Sequence, residues 1–421
     1  MKVVLAILHF ALMGLIVYLL SKRWNAIGSK LFWSVFIFHL SAGMCVGLIY
    51  SFYYSANDTW LFFEDASRLS SIARTDFTSY IKLLFDFSDE LNVALVTQDF
   101  RSLLFIKILS TFCFFSGDNY WVCTGYFSLI SFAASWFLCK KVVEYFPNSI
   151  PAATLSFLLF PSVVFWSSGI EKETLTLASL YFLAGVFIQL IFDKRIDKLV
   201  LLITLVACAL LWALKYYWAG VFFISALTTI AVQRLSVRSN FVERHVTFSY
   251  LFIFALVGVS VSFLHPNFYL HRFLEVVVFN HNEFVPLSTD KNLIHFYQLS
   301  PTVTSVIINS PWALISGVFR PFIWEGQGLL GVIASIENLL ILILFLSTAW
   351  NFKNHFQKPM SILFLAVMSY CVVLCVFLAL SAPNLGTLSR YRVGFIPFLV
   401  FAFAYCNPFF DFVTKRFLKT S

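Results

Sequence analysis

Long apolar runs separated by short basic segments constrain the fold of this chain more than any other feature. A helix of about 20 apolar residues matches the hydrocarbon core of a bilayer. Eleven such runs can be placed, at residues 3–20, 31–54, 120–139, 150–168, 174–192, 198–214, 217–232, 247–264, 328–350, 360–381 and 393–407. The sequence therefore predicts an all-α polytopic membrane protein with about 11 transmembrane helices in a single domain over residues 1–421.

Composition agrees with a bilayer as the main solvent. The chain is 60% hydrophobic and only 12% charged, whereas soluble proteins carry about 25% charged residues. A net charge of +8 would suit nucleic acid, but Lys and Arg occur in short clusters between the apolar runs. Because no basic face results, we expect a lipid bilayer and no nucleic acid as partner.

The basic clusters predict the orientation of the chain. Of the 29 Lys and Arg residues, 16 lie in the short segments 21–30, 140–149, 193–198, 233–246, 351–359 and 408–421. Cytoplasmic loops carry such an excess, so these segments are predicted inside and the N-terminus outside. Counting residues 102–116 as a further span would reverse this alternation. We therefore expect a juxtamembrane or re-entrant helix there.

Three outer segments are long enough to carry function, residues 55–119, 265–327 and the shorter 382–392. Residues 55–119 form an acidic loop, in which eight of the 21 Asp and Glu residues lie between Ser55 and Arg101. Residues 265–327 form the second, and Arg320 and Glu325 are predicted on an amphipathic helix at its end. The acidic loop is the first place to look for chemistry.

Asp58 is the acid best placed for catalysis in this loop. It follows the apolar run that ends at Tyr54, and a carboxylate held at the membrane boundary can be tuned as a base. In a helix that starts near Asp58, Asp65 would share its face and Glu64 would point about 100° away. Asp58 and Asp65 also offer the oxygen ligands with which proteins bind a divalent cation. The other acids of the loop are interpreted as ordinary loop charge.

Four cations on the predicted outer side are candidates for binding an anion. Lys172 opens a helix between two acids, Lys215 lies among aromatic residues, and Arg390 and Arg392 stand at the entrance of the last apolar run. Interfacial anchoring, snorkelling and lipid headgroups explain such residues in the simplest case. The alternative is a phosphate-bearing substrate, which an arginine fork suits.

The apolar runs contain one acid that is a candidate for function, and cysteines that we interpret as packing residues. Glu337 is an ionisable residue inside an apolar segment and so a candidate for function. The eight cysteines show neither a CxxC pattern nor the spacing of a zinc site. We interpret them as small buried residues.

The order of these features resembles the GT-C class of integral membrane glycosyltransferases, which includes protein O-mannosyltransferases and lipid A aminoarabinose transferases. The resemblance rests on an early span, an outer loop opening with an acid, a Lys-bearing exit after a Pro-Ser turn, and a final Arg-Tyr-Arg-x4-Pro segment at 390–397. Two departures are the extra run at 3–20 and Asn57-Asp58, where the class has an acid pair.

The resemblance implies transfer of a sugar from a polyprenyl-phosphate carrier to a glycan, lipid or protein acceptor. It implies a multi-pass protein of the bacterial inner membrane with its active site on the periplasmic side. Asp58 would act as base or position the acceptor, assisted by Glu64 or Asp65. The cations expected to hold the carrier phosphate are Lys172, Lys215, Arg390 and Arg392.

Two other functions remain open from the sequence. A polysaccharide polymerase also joins polyprenyl-linked sugars at this face. A transporter or lipid flippase would carry paired ionisable residues and broken helices at mid-depth.

Overall fold

A computed structural model describes residues 2–54, 57–86, 95–97, 99–192, 195–263, 265–350, 362–405 and 407–418. The described residues are mainly helical and form no β-strand, as predicted. In chain order the helices are α1 Lys2–Arg23, α2 Lys30–Phe52, α3 Asp58–Thr75, α4 Phe77–Phe85, α5 Phe100–Ser116, α6 Tyr120–Tyr145, α7 Ile150–Ala153, α8 Pro161–Ser168, α9 Lys172–Phe192, α10 Lys198–Ser236, α11 Asn240–Arg244, α12 Val246–Val261, α13 Leu270–Phe284, α14 Val303–Phe319, α15 Gly328–Trp350, α16 Ile362–Ser381, α17 Leu385–Tyr391, α18 Ile396–Ala404 and α19 Pro408–Leu418.

The described helices confirm a multi-pass membrane protein. Seven of them, α1, α2, α6, α9, α10, α15 and α16, are long and apolar enough to cross a bilayer. Two bent pairs, Pro147–Leu159 with α8 and α18 with the start of α19, raise the number to nine if each counts as one span. Parts of three predicted runs, residues 264, 360–361 and 406, lie outside the described residues.

The difference between nine and eleven spans lies in α10 and α12. The runs predicted at 198–214 and 217–232 share α10, which has 39 residues and a non-helical backbone at Lys215. The run at 247–264 appears as α12, which has only 16 residues. The count of eleven therefore stays a prediction, although the backbone of α10 breaks where the sequence predicts a boundary.

The chain divides into two compact units. The first comprises residues 1–141, 158–186 and 195–216, and the second comprises residues 142–157, 187–194 and 217–421. In the first unit, α3 buries Phe62, Ala66 and Leu69 together with Phe105 and Ile106 of α5. The helix predicted over 102–116 is thus present as α5 and packs on α3, while its relation to the bilayer stays a prediction.

In the first unit, α2 approaches α6 and α8 closely through a glycine. A Cβ atom on Gly43 would lie 2.2 Å from Oγ of Ser128 and 2.4 Å from the carbonyl oxygen of Ser168. Both are closer than real Cβ contacts, so no larger residue fits without movement of the backbone. Small residues serve this purpose between membrane helices, where close backbone approach replaces the hydrophobic driving force.

Replacing Gly43 by Val is therefore expected to destabilise the protein by about 3 kcal/mol, the upper range for an overpacked site. Thermal unfolding in detergent, followed by tryptophan fluorescence, measures the effect. Gly14→Val is the matched control, since Gly14 is a helical glycine of α1 and a Cβ atom added to it would have no heavy atom within 4 Å. Equal midpoints for the two variants would contradict the close contact.

The second unit uses the same kind of packing between α14 and α16. A Cβ atom on Gly317 would lie 2.5 Å from Sγ of Cys375 and 3.3 Å from Cβ of Ala379. Cys371 and Cys375 are both buried on α16, which agrees with their interpretation as small packing residues. This contact fixes the end of α14 beside α16.

Candidate functional site

Asp58 is the first residue of α3, so a helix does start at the position assumed in comparing the faces of Asp58, Glu64 and Asp65. Its side chain is partly buried, at the positive end of the helix dipole, where a carboxylate is favoured. Of the two acids that follow, Asp65 is fully buried and Glu64 is exposed. The predicted separation of Glu64 and Asp65 onto different faces is thus confirmed.

The carboxylate of Asp65 binds the backbone just before α5. It accepts hydrogen bonds from the backbone N–H of Val96 at 3.1 Å, and from the N–H and hydroxyl of Thr97 at 3.1 and 2.8 Å. Nη1 of Arg68 lies 3.4 Å from it. Asp65 therefore organises the chain at residues 95–97, a structural role that the sequence did not indicate. Its roles as assisting acid or cation ligand stay predictions.

A cluster of charges surrounds the N-terminus of α5. We call Asp99, Arg101, Ser102 and Lys172 the charged cluster. Asp99 caps α5, accepting a hydrogen bond from the backbone N–H of Ser102 at 3.1 Å. Nζ of Lys172 donates to Oγ of Ser102 at 2.8 Å. Burial acts to raise the pKa of the Asp99 carboxyl, but the bonds from Ser102 and the charges of Lys172 and Arg101 outweigh it, so the pKa is lowered.

The charged cluster is lined by aromatic rings. Nζ of Lys172 lies 5.1 Å from the ring centroid of Phe62, and the Arg101 guanidinium lies 5.0 Å from that of Tyr216. Both distances suit cation–π attraction. Phe62 follows Asp58 by four residues, which is about one turn of α3. Lys172 therefore contacts α3 one helical turn beyond Asp58. Arg101 is a second cation of this cluster, and no sequence pattern indicated it.

Lys215 forms a buried ion pair with Glu173. Nζ of Lys215 donates to Oε1 of Glu173 at 2.6 Å, and the two side chains are 6% and 2% exposed. Lys215 is also the residue at which the α10 backbone leaves helical geometry, with φ −145° and ψ 73°. The pair therefore joins the break in α10 to the first turn of α9.

Glu171, like Glu173, is a buried acid for which the sequence predicted no role. Its side chain is 1% exposed and lies within electrostatic range of the Tyr120 phenol. Tyr120 in turn bonds the hydroxyl of Thr59 at 2.8 Å and stacks on Trp60 at 3.8 Å between centroids. The signal in the sequence was the Glu-Lys-Glu pattern at 171–173, in which both acids are buried and Lys172 is half-buried.

In the second unit, Arg392 is a buried cation. Its side chain is 1% exposed, and Nη1 donates to the carbonyl oxygen of Arg320 at 3.3 Å. Nε and Nη2 have no hydrogen-bond partner within the described part of the chain. Glu337 of α15 attracts it electrostatically, which gives that buried acid a counter-charge. Arg390 is half-buried, with its guanidinium 5.5 Å from the ring centroid of Tyr391.

Arg320 and Glu325 are not on the amphipathic helix predicted for them. Helix α14 ends at Phe319, and residues 320–325 form a turn closed by the two side chains. Nε of Arg320 lies 3.0 Å from both carboxylate oxygens of Glu325, and Oε2 of Glu325 also accepts a hydrogen bond from the backbone N–H of Phe322 at 2.8 Å. The physical reason is Pro321, because the residue before a proline is disfavoured in helical geometry.

The structure thus divides the predicted site residues between its units. The first unit contains Asp58, Glu64, Asp65, Lys172 and Lys215, and the second contains Arg320, Glu325, Arg390 and Arg392. Among the described residues, no group of three His, Cys, Asp or Glu side chains is arranged to hold a metal ion. No family model, no curated protein and no solved structure matches the chain.

Proposed function

We propose that the protein is a membrane glycosyltransferase that moves a sugar from a polyprenyl-phosphate carrier to an acceptor hydroxyl. One observation carries the proposal: Asp58 opens a helix that follows an apolar span, and Lys172 lies against the next turn of that helix. A carboxylate and a cation are thereby held on one unit at the end of a predicted span. Transfer from a lipid phosphate requires this combination of charges.

The proposed reaction assigns each charge one task. Asp58 accepts the proton of the acceptor hydroxyl as its oxygen bonds to the anomeric carbon of the sugar. The bond from that carbon to the phosphate oxygen breaks, and the phosphate leaves with an additional negative charge. Lys172 and Arg101 offset this charge from fixed positions, which is where electrostatic stabilisation has its largest effect.

The other predicted residues take supporting roles in this proposal. The ion pair with Glu173 makes Lys215 a residue that positions α9, and thereby Lys172, rather than a direct phosphate ligand. Glu64 is the exposed acid nearest in sequence to Asp58 and is proposed to orient the acceptor. Arg390 and Arg392 are the phosphate-binding candidates of the second unit and are open to the same substitution test.

The proposal includes a membrane topology. We propose eleven spans, the N-terminus outside, and a location in a bacterial inner membrane with Asp58 on the periplasmic side. The six basic segments support this orientation. The backbone break at Lys215 supports a boundary between two spans within α10.

Replacing Lys172 or Arg101 by Gln is expected to reduce the rate of sugar transfer about 100-fold, the lower range for loss of one electrostatic contact to a transition state. The measurement uses purified protein in proteoliposomes, a radiolabelled polyprenyl-phosphate sugar and a pool of acceptor lipids and glycans. Lys82→Gln is the matched control, because Lys82 is an exposed cation on α4 of the same unit. Equal rates for the three variants would contradict the phosphate role.

The same assay separates the alternatives. Products that grow by many sugars would identify a polymerase. A transporter is favoured by one observation, the buried Lys215–Glu173 pair at a helix break, since paired ionisable groups beside broken helices line transport pathways. Movement of a labelled lipid or sugar across proteoliposomes without any transfer product would replace the proposed function by transport.

A further inference from the structure

Two buried thiols face each other where α5 ends and α6 begins. Sγ of Cys113 lies 4.0 Å from Sγ of Cys123, and both residues are fully buried. Two hydroxyls also contact the sulfurs, with Oγ of Ser116 3.3 Å from the Cys123 sulfur and Oγ of Ser67 3.9 Å from the Cys113 sulfur. The two thiols therefore meet in a buried site, with Asp118 within electrostatic range of Cys113.

We propose that Cys113 and Cys123 are a modification site that oxidises to a disulfide. A disulfide has a sulfur–sulfur bond of about 2 Å, so the sulfurs must approach by about a further 2 Å. Changing one cysteine between staggered χ1 rotamers moves its sulfur by up to about 3 Å. Side-chain rotation can therefore supply the movement, without displacement of the two helices as whole bodies.

The chemistry is thiol–disulfide exchange with an external disulfide as the oxidant. One thiol loses its proton and attacks the oxidant, which forms a mixed disulfide and releases one thiol. The second cysteine loses its proton and displaces the remaining half of the oxidant. Two protein thiols are thus oxidised to one disulfide, and one oxidant disulfide is reduced to two thiols.

The crosslink would strengthen a turn that α3 already holds. Asp118 in this turn accepts hydrogen bonds from Oγ of Ser70, at 2.5 Å, and from the Arg74 guanidinium. Nη2 of Arg74 also donates to the carbonyl oxygen of Cys113 at 3.2 Å. A bond between Cys113 and Cys123 would join the last turn of α5 covalently to the first turn of α6, and so limit opening of this hairpin.

The described thiols Cys371 and Cys375 provide an internal control. They lie four residues apart on α16, and their sulfurs point to different backbone carbonyls, those of Phe395 at 3.5 Å and Leu314 at 3.8 Å. Because each thiol of this pair is directed to its own carbonyl oxygen, we do not expect the two sulfurs to form a disulfide. The proposal therefore predicts oxidation at one neighbouring pair and not at the other.

The test treats the full-length protein in detergent with dipyridyl disulfide, an apolar oxidant able to reach buried thiols. Free thiols are then blocked with N-ethylmaleimide after unfolding, and the digest is examined by mass spectrometry without reduction. We expect a peptide crosslinked between Cys113 and Cys123, and full alkylation of Cys371 and Cys375. The oxidised protein should also unfold several degrees higher than the reduced protein, and Cys123→Ala should abolish this difference.

Complete alkylation of Cys113 and Cys123 after oxidant treatment would overturn the proposal. So would a crosslink that forms between Cys371 and Cys375 to the same extent, because proximity at the α5–α6 turn would then have no special effect. If Cys123→Ala fails to fold, Cys113→Ser supplies the same comparison. None of these measurements depends on sugar transfer, so the result is independent of the proposed function.

Discussion

Asp58→Asn is expected to lower the rate of sugar transfer about 1000-fold while the protein remains folded and in the membrane. An amide of the same shape can still position the acceptor but cannot accept its proton, and general base catalysis contributes about 100- to 10,000-fold. Stability should change little, because Asp58 is only partly buried at the first turn of α3. Transfer from a polyprenyl-phosphate sugar in proteoliposomes gives the rate, and thermal unfolding gives the stability.

Variants of two further acids of α3 serve as comparisons for Asp58→Asn. Glu64→Gln introduces an amide that can still orient the acceptor hydroxyl and changes only an exposed side chain, so it is expected to retain most of the activity and all of the stability. Asp65→Asn is expected to lose stability, because an amide has one acceptor oxygen where the carboxylate uses two to hold Val96 and Thr97. A variant Asp58→Asn that keeps more than a tenth of the wild-type rate would remove Asp58 from the reaction.

The features that could be predicted from the sequence are those set by local patterns. Six predicted apolar runs each correspond to one long helix of the structure, because the length and composition of a segment decide whether it can lie in lipid. These helices are α1, α2, α6, α9, α15 and α16. The separate faces of Glu64 and Asp65 on α3 follow from helical periodicity, given a helix that starts near Asp58. Membrane sequences are informative in this respect because a segment that crosses the bilayer must be apolar and must satisfy its backbone hydrogen bonds within a helix.

The features that could not be predicted depend on contacts between distant residues. Lys215 and Glu173 are 42 positions apart, and no pattern within either segment indicates that they pair. The bonds from Val96 and Thr97 to Asp65 likewise join residues more than 30 positions apart. The end of α14 is different, because Pro321 was visible in the sequence and its effect on the preceding residue is general.

Lys215→Met is expected to destabilise the protein by about 3–5 kcal/mol, the usual result of removing one partner from a buried ion pair. The reason is the charge that stays behind: Glu173 is 2% exposed, and its carboxylate would lose the ammonium group that lies 2.6 Å away. Thermal and denaturant unfolding in detergent measure the loss. Lys82→Met is the control, since it removes an exposed lysine of the same unit and should leave stability within about 0.5 kcal/mol of wild type.

The double variant Glu173→Leu with Lys215→Met separates structure from function at this pair. With both charges removed, most of the stability is expected to return, because a buried ion pair replaced as a whole by hydrophobic residues of similar volume often costs little. Recovery of stability together with sugar transfer would mean that the pair only holds α9 against the break in α10. Recovery of stability without activity would mean that the charges themselves position Lys172 for the reaction. If Lys215→Met alone is as stable as wild type, the pair is not closed in the folded protein, and its role at the break in α10 is wrong.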